Sequence, residues 1–527
     1  MNLSFKRIDA LPRLAWCLEV TRGSPRAELL HGPWVETRGR FFCDGAWSGD
    51  FAAGAFERSM LAGTAGKATP QGLLLATPNN TLERIYLVKI DDSVLASNSL
   101  AFLLAQSDDD VDPRRLGYSS DLASIVDGLQ KHVRSIPTLR GRRVRLFYHC
   151  NLRISSDLDV IEEPKPTVRD FKDFADYKEF LQQTVAAIVA NAGDKRRGVP
   201  FPPIATISSG HDSPAVAVLA RNAGCSEALT FQRARPSSDR SGAQDDSGAE
   251  IAARLGMDIT CFERADYLKT PGLTDAENEG FPLVFAAWQE KIAGRLLLTG
   301  YHGDKVWDRN AFFVGPDIVR GDYSGNTFAE FRLRVGFIHL PVPYLGSTSL
   351  KSIYRISNSS EMRPWTLMTR YDRPIPRRLI EEAGIPRDLF GRAKKAVEVV
   401  PGIEGKSILK PESVERFDRF CGQHWNQWMA AKDRALALGG VLHRWNKRIN
   451  RKIYITGKMR FGLSIRLPEV VPHSWRAASY VPGGRDRLLF HWAIRTLSPR
   501  YRIASTWLRF AGRASAQPGR AFEHVNG

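Results

Sequence analysis

A chain of 527 residues, 43% hydrophobic and 25% charged, has the composition of an ordinary folded protein and by length roughly two to four domains. Its six cysteines form no C-x-x-C pair and no Cys/His cluster, which argues against structural zinc and a disulfide framework and fits a reducing compartment. The formal net charge of +18 is concentrated: from His443 onward there are 17 Lys/Arg against 3 Asp/Glu. Such a basic segment suits nucleic acid, an anionic membrane face or an acidic partner, and equally a solvated surface.

The opening MNLSFKRIDALPRLAW places charges and a proline where a secretory signal needs an apolar run. With no stretch of about 18 apolar residues either, the expected location is cytoplasmic. Residues 1–165 show short strand-like runs between Gly/Asn/Asp turns: LLLAT at 73–77, RIYLVKI at 84–90 and VRLFYHCNL at 144–152. YSSDLASIVDGLQKHV between them has helical spacing, so the region reads as α+β. EEPKPT at 162–167 reads as a linker, since its prolines deny the chain helix and interior strand.

From about residue 168 the rhythm changes. FKDFADYKEFLQQTVAAIVANAG predicts a long amphipathic helix with a glycine stop. Then PIATIS, EALTF, DITCFE and RLLLTG predict strands, separated by the helical stretches SPAVAVLARNAG, DDSGAEIAARLG and FPLVFAAWQEKIAG. This alternation predicts βαβ units and a parallel sheet, on which ligands sit beyond the carboxyl ends of the strands. The Trp/Arg-rich pieces HRWNKRINRK and HWAIRTLSPRYR near the C-terminus read as helices.

The first of these strands ends in Ser208-Ser209-Gly210-His211-Asp212-Ser213-Pro214. With Ser213 as N-cap and Pro214 at N1, a helix starts at once. Small residues let backbone N–H groups crowd one point, the helix N-terminus adds partial positive charge, and hydroxyls add donors. That is a cradle for phosphate oxygens, inside which Asp212 makes sense as a magnesium ligand. The plainer alternative is a well-capped strand-to-helix turn. A Walker-type loop fails, because the GKS at 405–407 has Val400 where its first glycine should stand, and GTAGKA at 63–68 fails likewise.

The motif resembles the pyrophosphate loop S-G-G-x-D-S of the ATP pyrophosphatase (PP-loop) superfamily, with Ser209 for the first glycine. LTFQRARPSSDRSGAQDDSGAEIAARLGMDITCFE, FPLVFAAWQEKIAGRLLLTGYHGDKVWD and IPRDLFGRAKKA are similar, in that order, to segments of asparagine synthetases, over roughly 168–400. The resemblance implies an α/β fold in three parts. A glutaminase-like (Ntn-type) α+β domain spans 1–165, a parallel-sheet PP-loop synthetase domain (adenine nucleotide alpha hydrolase-like) 166–440, and a basic helical extension 441–527.

For activity it implies an ATP-dependent, AMP-forming carbon–nitrogen ligase that adenylates a carboxylate and passes it to an amine. Ser208, Ser209, Gly210, Asp212 and Ser213 would hold pyrophosphate, with Thr299 and Gly300 lining the nucleotide. Asp212 and Asp304 would bind Mg2+, and Lys394 (or Lys395) would stabilise charge. Two departures carry weight in the family's S-G-E-G-x-D-E loop: Tyr301 replaces the glutamate and Lys305 the final acid. A tyrosine there resembles the β-lactam synthetase branch, in which a Tyr–Glu pair takes the amine proton; Glu330 is the candidate partner by chain distance. Residue 2 is Asn2 rather than the family's N-terminal cysteine, and Cys17 lies deeper, so the amine is expected to come from a substrate and not from glutamine.

Small carboxylate and amine substrates are the expected partners, self-association is left open, and the basic segment adds an anionic partner or membrane surface. Two other readings remain: a degenerate relative that binds nucleotide without turnover, and a PP-loop enzyme modifying RNA.

Overall fold

In a computed structural model the described residues are 1–232, 246–311, 313–320, 328–369, 371–391, 409–429, 445, 448–449 and 488–514. The N-terminal part contains two sheets packed face to face. One has seven strands, antiparallel except where Asn2–Arg7 pairs in parallel with Arg26–His31; the other has six, all antiparallel. Period-2 alternation explains the packing. Trp16, Leu18 and Val20 of the strand Trp16–Thr21 meet Phe42, Leu75 and Leu152 of the other sheet. Cys17 of the same strand faces the opposite way, toward the helix Leu100–Gln106.

Two readings of this region are corrected. VRLFYHCNL is two strands, Arg143–Phe147 and Cys150–Ile154, one in each sheet. The chain changes sheet at His149, whose φ of 49° turns the backbone. The supposed linker is partly the strand Val160–Pro164, which lies at a sheet edge, where a missing N–H breaks no ladder.

The helix Phe174–Ala192 follows, with Asp173 accepting the N-cap bond from the Asp176 amide and Gly193 at its end. Beyond it lies the parallel sheet, in the order Asp258–Glu263, Glu227–Gln232, Pro203–Thr206, Leu296–Thr299, Ile338–Pro341. The last strand has no counterpart in the sequence reading: it is four residues long and ends in proline. Ala205, Leu296 and Leu298 on one face pack against Val216, Leu219 and Ala220 of the helix Asp212–Asn222. Ile204, Leu229 and Leu297 on the other pack against an aromatic layer that includes Phe285, Trp288 and Phe331.

FPLVFAAWQEKIAG, read as one helix, is a 3-10 turn at Val284–Trp288 followed by one α turn at Gln289–Ile292. Pro282 and the stacking of Trp288 on Phe231, centroids 4.3 Å apart, explain that shape. The helix Leu489–Ala514 returns to the N-terminal part, where Tyr501 stacks on Phe102 at 4.7 Å. The described residues are thus α/β, with one parallel sheet beside a mixed sheet, a six-stranded antiparallel sheet and a two-stranded ribbon of Ala46–Trp47 with Leu61–Ala62. No helix among the described residues is long and apolar enough to cross a membrane.

Candidate functional site at the strand tips

The strands Pro203–Thr206 and Leu296–Thr299 are neighbours, and their chain connections leave toward opposite edges of the sheet. Between such strands the two following loops separate and leave a crevice at the carboxyl ends. Both loops singled out in the sequence fall there. The helix after the first loop begins two residues earlier than expected, at Asp212, with His211 and not Ser213 as N-cap. Ser213 is instead turned back to Ser208, the two hydroxyls 2.7 Å apart, and the Gly210 amide donates to Ser208 Oγ at 3.2 Å. Pro214 still costs no bond, since it remains in the first turn.

The second loop presses against the first. A Cβ on Gly300 would lie 2.7 Å from the Ser213 nitrogen, and one on Gly303 only 2.4 Å from Asp212 Cγ. No side chain fits at either position. Asp304, next to Gly303, is therefore brought to the same crevice as Asp212, and the two carboxylates are 18% and 17% exposed. Lys305 turns toward the same acid, its Nζ 3.1 Å from Asp304 Oδ2.

Three residues that sequence reasoning missed complete the site. Asp246 accepts from Ser209 Oγ at 2.5 Å, and its carbonyl accepts from the Ser209 amide at 3.1 Å. Arg373, buried, donates from Nη1 to Asp212 Oδ2 and lies 4.7 Å over the Tyr371 ring. The Tyr371 hydroxyl would be 3.8 Å from a Cβ on Gly210, and burial pushes its pKa up to about 12. Burial works against the Arg373 charge, but Asp212, Tyr371 and Asp304 hold its pKa above the ordinary value. Asp246 stood within the quoted DDSGAEIAARLG, yet nothing there marked it as a partner of Ser209. Arg373 lies 161 residues from Asp212, so no local pattern could pair them.

No family model and no curated protein matches this chain.

His211 is fully buried between Tyr371 and Phe390, at centroid distances of 4.6 and 6.1 Å. Burial, then Arg373 and Arg377, lower its pKa to about 3, so it is neutral. Gly391 covers it: a Cβ there would lie 2.4 Å from His211 Nε2, its φ is +69°, and its amide donates to the Ser209 carbonyl at 2.8 Å. The segment 371–391 thus clasps the first loop by backbone, ring and charge together.

The other expected residues are placed as follows. Thr299 is buried, its hydroxyl 2.8 Å from His339 Nε2 and turned into the sheet, which leaves only its backbone for a ligand. Tyr301 is half-buried against Phe285, Phe328 and His339. Its expected partner is corrected: Glu330 is buried elsewhere and accepts from Ser99 and Tyr501. Cys17 is buried, and burial raises its thiol pKa well above the ordinary value, so it is no exposed nucleophile. Lys394 and Lys395 lie outside the described residues, as does most of the basic C-terminal segment.

The donors fit magnesium in kind. Two carboxylates that a glycine contact holds to one crevice are hard oxygen ligands, and Mg2+ usually takes one or two of them plus phosphate and water. Among the described residues no group of three or more His, Cys, Asp or Glu could hold a metal without such help. The crevice sets three carboxylates, Asp212, Asp304 and Asp246, against the cations Arg373 and Lys305.

Proposed function

We propose that this chain is an ATP-dependent, AMP-forming amide-bond synthetase of the asparagine synthetase-like kind. In this reading a substrate carboxylate oxygen attacks the α-phosphorus of ATP and pyrophosphate leaves; an amine then attacks the acyl carbon and AMP leaves. The observation that supports it is the meeting of Asp212 and Asp304 in one crevice, at the tips of adjacent parallel strands, beside a loop of small residues that opens a helix.

Each part has a chemical task. Ser208, Ser209, Gly210 and Ser213 bind phosphate oxygens at the helix N-terminus, and Thr299 and Gly300 offer backbone to the nucleotide. Asp212 and Asp304 would hold Mg2+, which when bound neutralises charge on the phosphate chain. Arg373 keeps a fixed positive charge beside the same chain. Lys394 stabilises charge on the adenylate. Glu330 supplies no carboxylate to drive Tyr301 as a base, so Tyr301 borders the crevice with its ring. The two face-to-face sheets serve as a glutaminase-like domain without an exposed thiol, and a small-molecule amine replaces ammonia.

A second reading draws on the ion pair itself: with Arg373 bonded to Asp212, the chain binds nucleotide and does not turn it over. Two measurements on the full-length protein separate them. Calorimetry with ATP and magnesium tests binding, and ATP–pyrophosphate exchange across a panel of carboxylates tests adenylation. Absence of binding removes both readings, while binding with no exchange for any carboxylate leaves the second.

A further inference from the structure

The amino edge of the parallel sheet, opposite the crevice, carries an open pocket of about 690 Å3, in the usual size range for small ligands. Gly294 and Gly336, which precede the strands Leu296–Thr299 and Ile338–Pro341, place it there; the Gly294 amide donates to the Gly336 carbonyl at 2.7 Å. Three guanidiniums line it: Arg13, Arg334 and Arg500.

These arginines are unequally satisfied. Arg334 Nε and Arg500 Nη1 converge on one oxygen of the fully buried Glu277, at 2.6 and 2.5 Å. Arg13 has no carboxylate among the described residues. Its Nη1 donates to the Val335 carbonyl at 2.9 Å and its guanidinium lies 4.1 Å over the Trp34 ring. Trp34 is seated by Gly336, where a Cβ would be 2.5 Å from the indole and 3.0 Å from Arg13 Cδ. Arg13 is therefore held in place before any ligand arrives. Burial and the neighbouring Arg334 both lower its pKa, as expected of two cations held close together. Of the acids on the lining, Asp9 is paired with Arg7 at 2.7 Å and Glu290 is exposed.

We propose that this pocket binds a small multivalent anion, phosphate or polycarboxylate, bridging Arg13 to Arg334 and Arg500. Fork-shaped, pre-oriented guanidiniums suit such oxyanions. Because Arg13 belongs to the N-terminal part, Arg334 to the helix Ala329–Val335 and Arg500 to the C-terminal helix, the anion ties three separate stretches of chain together.

The test is calorimetry on the full-length protein at low ionic strength with inorganic phosphate and with citrate, which separates the two sources. Arg13→Gln removes the one arginine that holds no acid, so no buried carboxylate is stranded and the fold is kept. Saturable binding of either anion, weakened tenfold or more in Arg13→Gln, supports the pocket, as does a change in Trp34 fluorescence that Trp34→Phe abolishes. Absence of saturable binding, or equal affinity in Arg13→Gln, overturns it. Neither anion arm needs ATP turnover, so failure here is distinct from failure of the synthetase reading.

Discussion

Arg373 is hydrogen-bonded to Asp212 across 161 residues of sequence, with the guanidinium 4% and the carboxylate 17% exposed. Breaking one side of such a pair strands a charge in a poorly solvated place. Arg373→Met is expected to cost about 3–5 kcal/mol in denaturant unfolding, with part recovered in the Arg373→Met/Asp212→Asn double variant. A single-variant cost below about 1 kcal/mol would place the pair among surface ion pairs and remove it as an organiser of the site.

Gly303 tests the contact between the two loops. Ala at this position puts a methyl 2.4 Å from Asp212 Cγ, against a residue already clamped by Arg373. The expected loss is about 1–3 kcal/mol of stability, as for other overpacked positions, together with loss of nucleotide binding in calorimetry. Gly315→Ala, with nothing within 4 Å, is the control and should be neutral. Equal behaviour of the two variants would mean that the loops do not need to touch.

Acid should unfold this protein steeply. Burial lowers the pKa of His211 and His339 to about 3 and of His149 and His491 to about 4. Each folded pKa lies below the unfolded value near 6.5, so the unfolded chain binds more protons between them. The contribution is complete above about pH 6.5 and is lost as the pH falls toward 4, at about 1.4 kcal/mol per pH unit for each histidine. Glu83 works the other way: burial raises its pKa to about 7, so lowering the pH from 7 to 4.5 relieves one carboxylate. Burial also lowers the pKa of His31 and His132 and raises those of Glu19, Asp110, Asp275, Asp308 and Glu330, but these acids start from lower ordinary values, so between pH 7.5 and 5 the histidines dominate. Denaturant unfolding at pH 7.5, 6 and 5 should show falling stability, shallower in His211→Gln; a flat profile would mean these histidines are not held neutral.

Sequence by itself determined the alternation of elements, because hydrophobic period and turn chemistry act over a few residues. The helix Phe174–Ala192, four of the five parallel strands and the small-residue loop at 208–213 were all readable on that basis. Local signals also misled, for local reasons: the prolines of 162–167 did not reveal that their strand lay at an edge, and the run 144–152 did not show that it changes sheet at His149. Only the tertiary structure decided which charges meet. Strand order set the loops of Asp212 and Asp304 side by side, brought Arg373 and Asp246 to them, and gave Glu330 to Tyr501 and not to Tyr301. Coulomb energy and desolvation depend on distance and burial, and neither is written in the spacing of residues along a chain.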